Sequence, residues 1–195
     1  MNKAILIIQG HPDCRRQHLC HALADAYADG AIAAGHAVDR IEPARLRLPL
    51  LDSVEDWQHQ APTPEVAAAQ EAIRHAQHLA LFYPLWLGDM PAMLKGFLEQ
   101  VARPGFAIDP AARNPLRAGL LRGRSARVVV SMGMPASLYR WFYGAHGVRL
   151  MRRNILRFAG ISPVHTTLVG GAGALTPEQV ALWCSRLRRL GESAS

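Results

Sequence analysis

The chain has 195 residues, half of them hydrophobic and 19% charged, which suits one globular domain with a substantial core and excludes a disordered tract. No uninterrupted apolar run approaches the ~18 residues of a membrane-spanning helix, so no membrane insertion is expected. The balance is basic, +7 with histidines neutral, but the cations are mostly arginines without a recognised nucleic-acid motif; they point to solvated helix faces or an anionic ligand rather than to nucleic acid.

In chain order, Ala4–Ile8 (AILII) is apolar on both faces, as a buried parallel strand requires. The run is too short, and lacks a small-residue cleavage site, for a secretory signal. Cys14, Cys20 and Cys184 are odd in number and form no C-x-x-C pair, so a disulfide framework is not expected and a cytoplasmic protein is. A helix follows from about Gln17 to Ala34, with Leu19, Leu23, Tyr27 and Ile32 near helical spacing and Gly35 as its stop. Ala37–Ile41 is a short second strand. Residues 43–64 contain four prolines and no clean period, which predicts a long surface connection.

Pro64 opens a helix to His75. His78–Tyr83 is the third strand, ended by Pro84. Pro91 opens a helix carrying Met93, Leu94, Phe97, Leu98 and Val101 on its apolar face. Residues 104–125 form a loop rich in Pro, Gly and Arg. Arg127–Met132 is the fourth strand, broken by Gly133-Met134-Pro135. Helical spacing returns over 138–158, interrupted at Gly144 and Gly147 and stopped at Gly160. Val164–Val169 and a helix over Pro177–Leu190 complete the chain. Five alternations of strand and helix predict a parallel sheet covered on both faces. Ligands of such sheets bind beyond the carboxyl ends of the strands, which directs attention to the loops 9–16, 84–90 and 133–138.

The first loop, QGHPDCRRQH, is neither a Walker loop nor G-x-G-x-x-G. It precedes a helix N-terminus beside His11, Arg15, Arg16 and His18, so it suits a phosphate cradle or an exposed basic turn. His11, Cys14, His18, Cys20 and His21 lie within eleven residues, but their spacing matches no common zinc pattern and no metal is expected. In the second loop Pro84 and Pro91 stiffen the backbone and Gly88 permits close approach, while Trp86 and Leu87 supply apolar surface for a flat ring or a partner subunit. The third loop carries Gly133, Pro135, two tyrosines and His146. Neither Ser131 nor Ser137 sits in a G-x-S-x-G elbow, which argues against a serine hydrolase. A Tyr and a His together suit proton transfer beside a reducible ring.

The segment YPLWLGDMPAMLKGFLEQV resembles the P-L-x-W-x-x-x-P-A-x-L-K-x-W motif of the flavodoxin-like NAD(P)H:quinone oxidoreductases, and Ile5–His11, SMGMP and GAHG fall where that family has matching segments. The resemblance, over about residues 3–170, implies an α/β flavodoxin-like fold in a single domain, with sheet order 2-1-3-4-5. It implies FMN or FAD at the switch point and NAD(P)H as co-substrate. Hydride would pass through the flavin to a small quinone-like acceptor by a ping-pong mechanism, in a homodimer. By the same resemblance His11, Arg16, Gln17 and His18 hold the flavin phosphate. Pro84, Leu85, Trp86 and Leu87 line the isoalloxazine, and Gly133, Met134, Pro135 and Ala136 lie near its pyrimidine end. His146 is the catalytic histidine, with Tyr139 or Tyr143 as its tyrosine. The family has Ser and Asn where this chain has Arg16 and His18, and its Trp falls at Leu87. A regulatory flavoprotein subunit of a potassium efflux system, or a flavodoxin-type electron carrier, would share these features; typical carriers are acidic, unlike this chain.

Overall fold

The computed structural model describes residues 2–114 and 117–195, so residues 115 and 116 of the loop expected over 104–125 lie outside the described residues. Five parallel strands, β1 (Ala4–Gln9), β2 (Ala37–Ile41), β3 (His78–Pro84), β4 (Ser125–Ser131) and β5 (Val164–Val169), form one sheet in the order 2-1-3-4-5. This is the flavodoxin-like arrangement. The switch point lies between β1 and β3, where the chain, having placed β2 on one side of β1, crosses over to place β3 on the other.

The helices are α1 (Leu19–Ala33), α2 (Val54–Gln58), α3 (Pro64–His75), α4 (Ala92–Val101), α5 (Ala136–Trp141), α6 (His146–Arg149) and α7 (Pro177–Glu192), with a π-helical stretch over Leu150–Arg157. Side chains alternate across each strand, so successive residues enter opposite cores. Ile5, Ile7, Ala80, Phe82 and Val129 face α1 and α7. Leu6, Ile8, Leu79, Leu81, Tyr83, Val128 and Val130 face the layer of α3, α4 and the π-helical stretch. Among the described residues, no helix is long and apolar enough to cross a membrane.

Several sequence-based boundaries shift for identifiable reasons. The first helix starts at Leu19 rather than Gln17, because the His18 N–H is taken by His21 Nδ1 at 3.1 Å. Its buried stripe runs through Cys20, Leu23, Ala24, Tyr27 and Ala31, which leaves Ile32 exposed. Met93 falls one position off the Met90–Leu94–Phe97–Val101 stripe and is exposed as well. β3 extends through Pro84, which is in register with Ser131, and the following Leu85 N–H donates to Ser131 O at 2.7 Å. The helical pattern over 138–158 is broken at Gly144 but continues through Gly147, which lies inside α6. The connection over 43–64 holds a 3-10 turn (Pro43–Arg45) and α2, whose N-cap Ser53 accepts from Asp56 N–H.

Candidate functional site at the carboxyl ends of the strands

The cleft expected from the topology is present. A cavity of about 280 Å³ opens above the carboxyl ends of β1, β3, β4 and β5, and His11, His18, Pro84, Leu85, Trp86 and Gly133 all line it. Its volume stands near the lower end of ligand pockets, ~300–1,000 Å³. A larger cavity of about 670 Å³ lies between α2, α4 and the end of the π-helical stretch, with Trp57, Leu98, Ile155 and Phe158 among its walls. It is away from the strand ends, and its charged groups are the surface Lys95–Glu99 pair and Asp52. Size alone therefore does not pick the site; topology and convergent polar groups do.

The first wall is the loop after β1. Gly10 N–H donates to Phe82 O at 2.7 Å, and Gln9 Nε2 donates to Cys20 O at 3.0 Å, which ties the loop's start to β3 and α1. The Pro43–Arg45 turn braces the far side, with Arg45 Nη2 donating to Cys14 O at 3.4 Å. So held, the loop folds back until the His11 and His18 rings stack, centroids 3.9 Å apart and planes 14° from parallel. Asp13 Oδ2 sits 2.8 Å from His18 Nε2, and that contact holds the Asp13 carboxyl below its ordinary range. Burial, then the neighbouring His18 and His21, holds His11 below the usual histidine value. Arg16 and Gln17 are exposed on the same loop, immediately before α1.

The second wall is a two-residue hairpin. Trp86 and Asp89 exchange both backbone hydrogen bonds, at 2.9 and 3.0 Å, and the intervening Leu87 and Gly88 have φ of +48° and +85°. Positive φ at both central positions is the requirement of a type I′ turn, which glycine meets freely and leucine does not. Among the described residues, the N–H groups of Leu87 and Gly88 have no intrachain partner. Trp86 is half-exposed and meets His11 edge-on at 6.2 Å.

The hairpin is clamped from outside. Tyr139 is 1% exposed, and its hydroxyl donates to Gly88 O at 3.2 Å while accepting from Val148 N–H at 3.4 Å. Gly147 packs so tightly on the hairpin that a Cβ there would lie 2.5 Å from Gly88 O. His146 and Tyr143 are exposed beside this clamp, and Tyr143 is edge-on to Phe142 at 5.0 Å. The cleft floor follows β4. A Cβ on Gly133 would meet nothing within 4 Å. Beyond it Met134 packs partly on the core, Pro135 caps α5, and Ala136 lines a separate shallow depression with Arg140 and Trp141.

Residues outside the three expected loops complete the walls: Leu19, Cys20, Ser131, Met132, Ala172 and Gly173. Cys20 Sγ and Ser131 Oγ lie 2.9 Å apart, and burial pushes the Cys20 thiol up to about 11. Ala172 and Gly173 belong to the GGAG run after β5, pinned by Gly171 N–H to Met134 O and Ala172 N–H to Met132 O. Applying the strand-end rule to β5 as well would have found this wall. Among the described residues no group of three or more His, Cys, Asp or Glu is placed to hold a metal ion.

This geometry, a flavodoxin-like sheet with a cleft at its switch point, agrees with comparison to known proteins. The model of the family described as having a flavodoxin-like fold matches residues 3–188, and the chain belongs to that family. It is 26% identical over 141 residues to NAD(P)H dehydrogenase (quinone) 1 of Rattus norvegicus, an alignment covering 68% of this chain and 50% of the rat protein. The chain spans about half the length of the curated relatives it matches. Among solved structures, NAD(P)H:quinone oxidoreductase from Methanothermobacter marburgensis superposes with a TM-score of 0.81 at 24% identity, over 99% of this chain and 97% of that one. An FMN-dependent NADH-azoreductase from Bacillus anthracis str. Ames Ancestor, solved with FMN, gives 0.74 at 18% identity, over 99% and 98%. At these identities the structural likeness shows the shared fold.

Proposed function

We propose that the cleft binds FMN and that the chain is an NAD(P)H oxidoreductase passing electrons to small quinone-like acceptors. The observation that carries this reading is the cleft itself. It combines an open glycine floor at Gly133, a flat apolar wall at Leu85 and Trp86, and a histidine cluster at the start of α1, with unpaired N–H groups on the adjoining hairpin tip. These features fit a planar, hydrogen-bonding ring system carrying a phosphate. The names of the rat and Methanothermobacter relatives support the acceptor class, and the FMN of the Bacillus anthracis structure supports the cofactor.

Flavin, when bound, supplies two-electron chemistry between a nicotinamide and an acceptor. The chain's own residues orient and enclose it. Pro84, Leu85 and Trp86 form one wall for the ring, and Gly133 admits its edge where any side chain would intrude. His11 and His18, with Arg16 and Gln17 beside them, hold the phosphate. Met134, Pro135 and Ala136 shape the loop behind Gly133. Leu87, at the hairpin tip, contacts the incoming nicotinamide or acceptor. His146 and Tyr143 stand exposed at the edge of the clamp, where they deliver or take protons at an acceptor oxygen. Tyr139 is a positioning residue, since its hydroxyl is already shared between Gly88 and Val148. Nicotinamide and acceptor use one mouth in turn, which gives ping-pong kinetics. The exposed Trp141, Phe142 and Tyr143 support a second copy of the chain walling that mouth. Three free cysteines suit a cytoplasmic setting.

The test is to load purified protein with FMN, add NADH or NADPH without oxygen, and then add a quinone. The yellow absorbance should be lost and should then return. FMN that stays oxidised with both nucleotides contradicts the reading.

A further inference from the structure

The start of α1 carries a feature that the flavin reading does not require. Three imidazoles crowd one carboxylate: His11 and His18 stack at 3.9 Å, and the His21 ring lies 5.3 and 5.7 Å from them. Two of these rings line the cleft. His21 is committed, because its Nδ1 accepts the His18 N–H that begins the helix. Asp13 Oδ2 lies 2.8 Å from His18 Nε2 and occupies that ring's outer nitrogen. His11 is the ring free to change. Its Nδ1 lies 3.1 Å from the Asp13 N–H and 3.2 Å from the Asp13 carbonyl, so the neutral ring accepts from the first and the protonated ring donates to the second, without moving.

The surroundings decide when it does so. The charges bearing on His11 are His18, His21 and Asp13; those on His21 are His18, Asp25, Glu42 and Arg40. Cys20, also in the cleft, stays neutral through the physiological range. With the cleft open to water, burial and the neighbouring His18 and His21 disfavour a proton on His11, and the single nearby carboxylate, Asp13, offsets them only in part. A phosphate dianion beside the rings removes that obstacle, because it contributes the missing negative charge.

We propose that this cradle is proton-coupled: it binds the terminal phosphate monoester of FMN together with a proton taken from solvent onto His11. The inference rests on the flavin reading of the cleft. It makes the histidines a selectivity device, since a flavin lacking the phosphate monoester gives the His11 imidazolium no partner. It also makes cofactor affinity respond to pH, tighter at mild acidity and looser as pH rises.

The test measures FMN and riboflavin binding to the full chain by fluorescence titration between about pH 6.5 and pH 8.5. This window keeps FMN above its own second phosphate ionisation, near ~6. One coupled proton gives up to a tenfold change in Kd per pH unit. The expected result is an FMN Kd at least about tenfold weaker at the upper pH, with riboflavin unchanged. His11→Asn should flatten the FMN dependence while keeping riboflavin affinity. Should that variant fold poorly, calorimetry of FMN binding to the unmodified chain in two buffers of different ionisation enthalpy reads the same proton directly. FMN binding that is tight but independent of pH, with no proton taken up, overturns the inference and leaves the flavin reading intact. A pH dependence shared equally by riboflavin also overturns it, by placing the proton at the ring. Failure of both flavins to bind at any pH overturns the inference and the flavin reading together.

Discussion

Leu87 offers a prediction in which stability and function should part. Its φ of +48° places a bulky, γ-branched side chain in the left-handed region, at the tip of the hairpin. That conformation costs an ordinary L-residue about 1–2 kcal/mol. The side chain offsets none of this by packing, since it is 108% exposed. Asn tolerates the same backbone, so Leu87→Asn should stabilise the flavin-free protein by about 1 kcal/mol, which for a chain of this size raises Tm by roughly 2–4 °C. Leu87→Gly relieves the same strain but gives back about 0.5–1 kcal/mol through the entropy of the unfolded chain, so it should gain less. Both are checked by urea unfolding at unchanged m-value. In the flavin-loaded protein the same variants should weaken acceptor binding, because they remove the exposed apolar side chain at the hairpin tip that contacts the acceptor in the proposed reading. A Leu87→Asn protein less stable than its parent would refute the reasoning, since it would mean that the leucine is covered in solution.

Other predictions concern the clamp, the floor and the core. Gly147→Ala drives a Cβ to 2.5 Å from Gly88 O and 2.8 Å from Asp89 Cα; it should cost about 1–3 kcal/mol in thermal unfolding and loosen flavin binding. Gly133→Ala meets nothing, so it should leave the unfolding free energy within about 0.5 kcal/mol of the parent while weakening FMN binding in a fluorescence titration. Tyr139→Phe leaves the Val148 N–H unpaired and should cost about 1–3 kcal/mol by urea unfolding. Turnover should fall less than about tenfold, and a far larger loss would make Tyr139 a proton donor after all. His78 is fully buried with Nε2 unpartnered, and burial, then Lys3 and Arg127, pull it down to about 4. The folded protein therefore refuses a proton that the unfolded chain takes up below its ordinary 6.5. Stability is fully present above that value and falls by about 3 kcal/mol as pH drops towards 4. The difference between parent and His78→Gln unfolding curves across that range isolates it.

The sheet was legible because parallel strands buried on both faces declare themselves as runs such as AILII and RVVVS, and their alternation with helices leaves few topologies. The cleft was legible as a place for the same reason. Its details were less so. Nothing in the letters PLWLGD announces that a leucine takes a glycine's conformation; only the reciprocal Trp86–Asp89 pairing enforces it. The fourth wall after β5 was missed because GGAGAL carries no side chain that suggests chemistry, although its position at a strand end was known. Tyr139 could be seen near His146, but its hydroxyl bonds to Gly88 and Val148 depend on two distant loops meeting. The crowding of His11, His18 and His21 was visible in the sequence. That His11 and His18 stack, seven residues apart, follows from the loop's fold and from no helical period.

The central claim is that this cleft holds a flavin, and equilibrium dialysis of the purified chain against FMN tests it most directly. Saturation at one flavin per chain, with Gly133→Ala shifted to markedly weaker binding at unchanged Tm, is the predicted result. A well-folded parent protein that takes up no FMN at any concentration tried would contradict it.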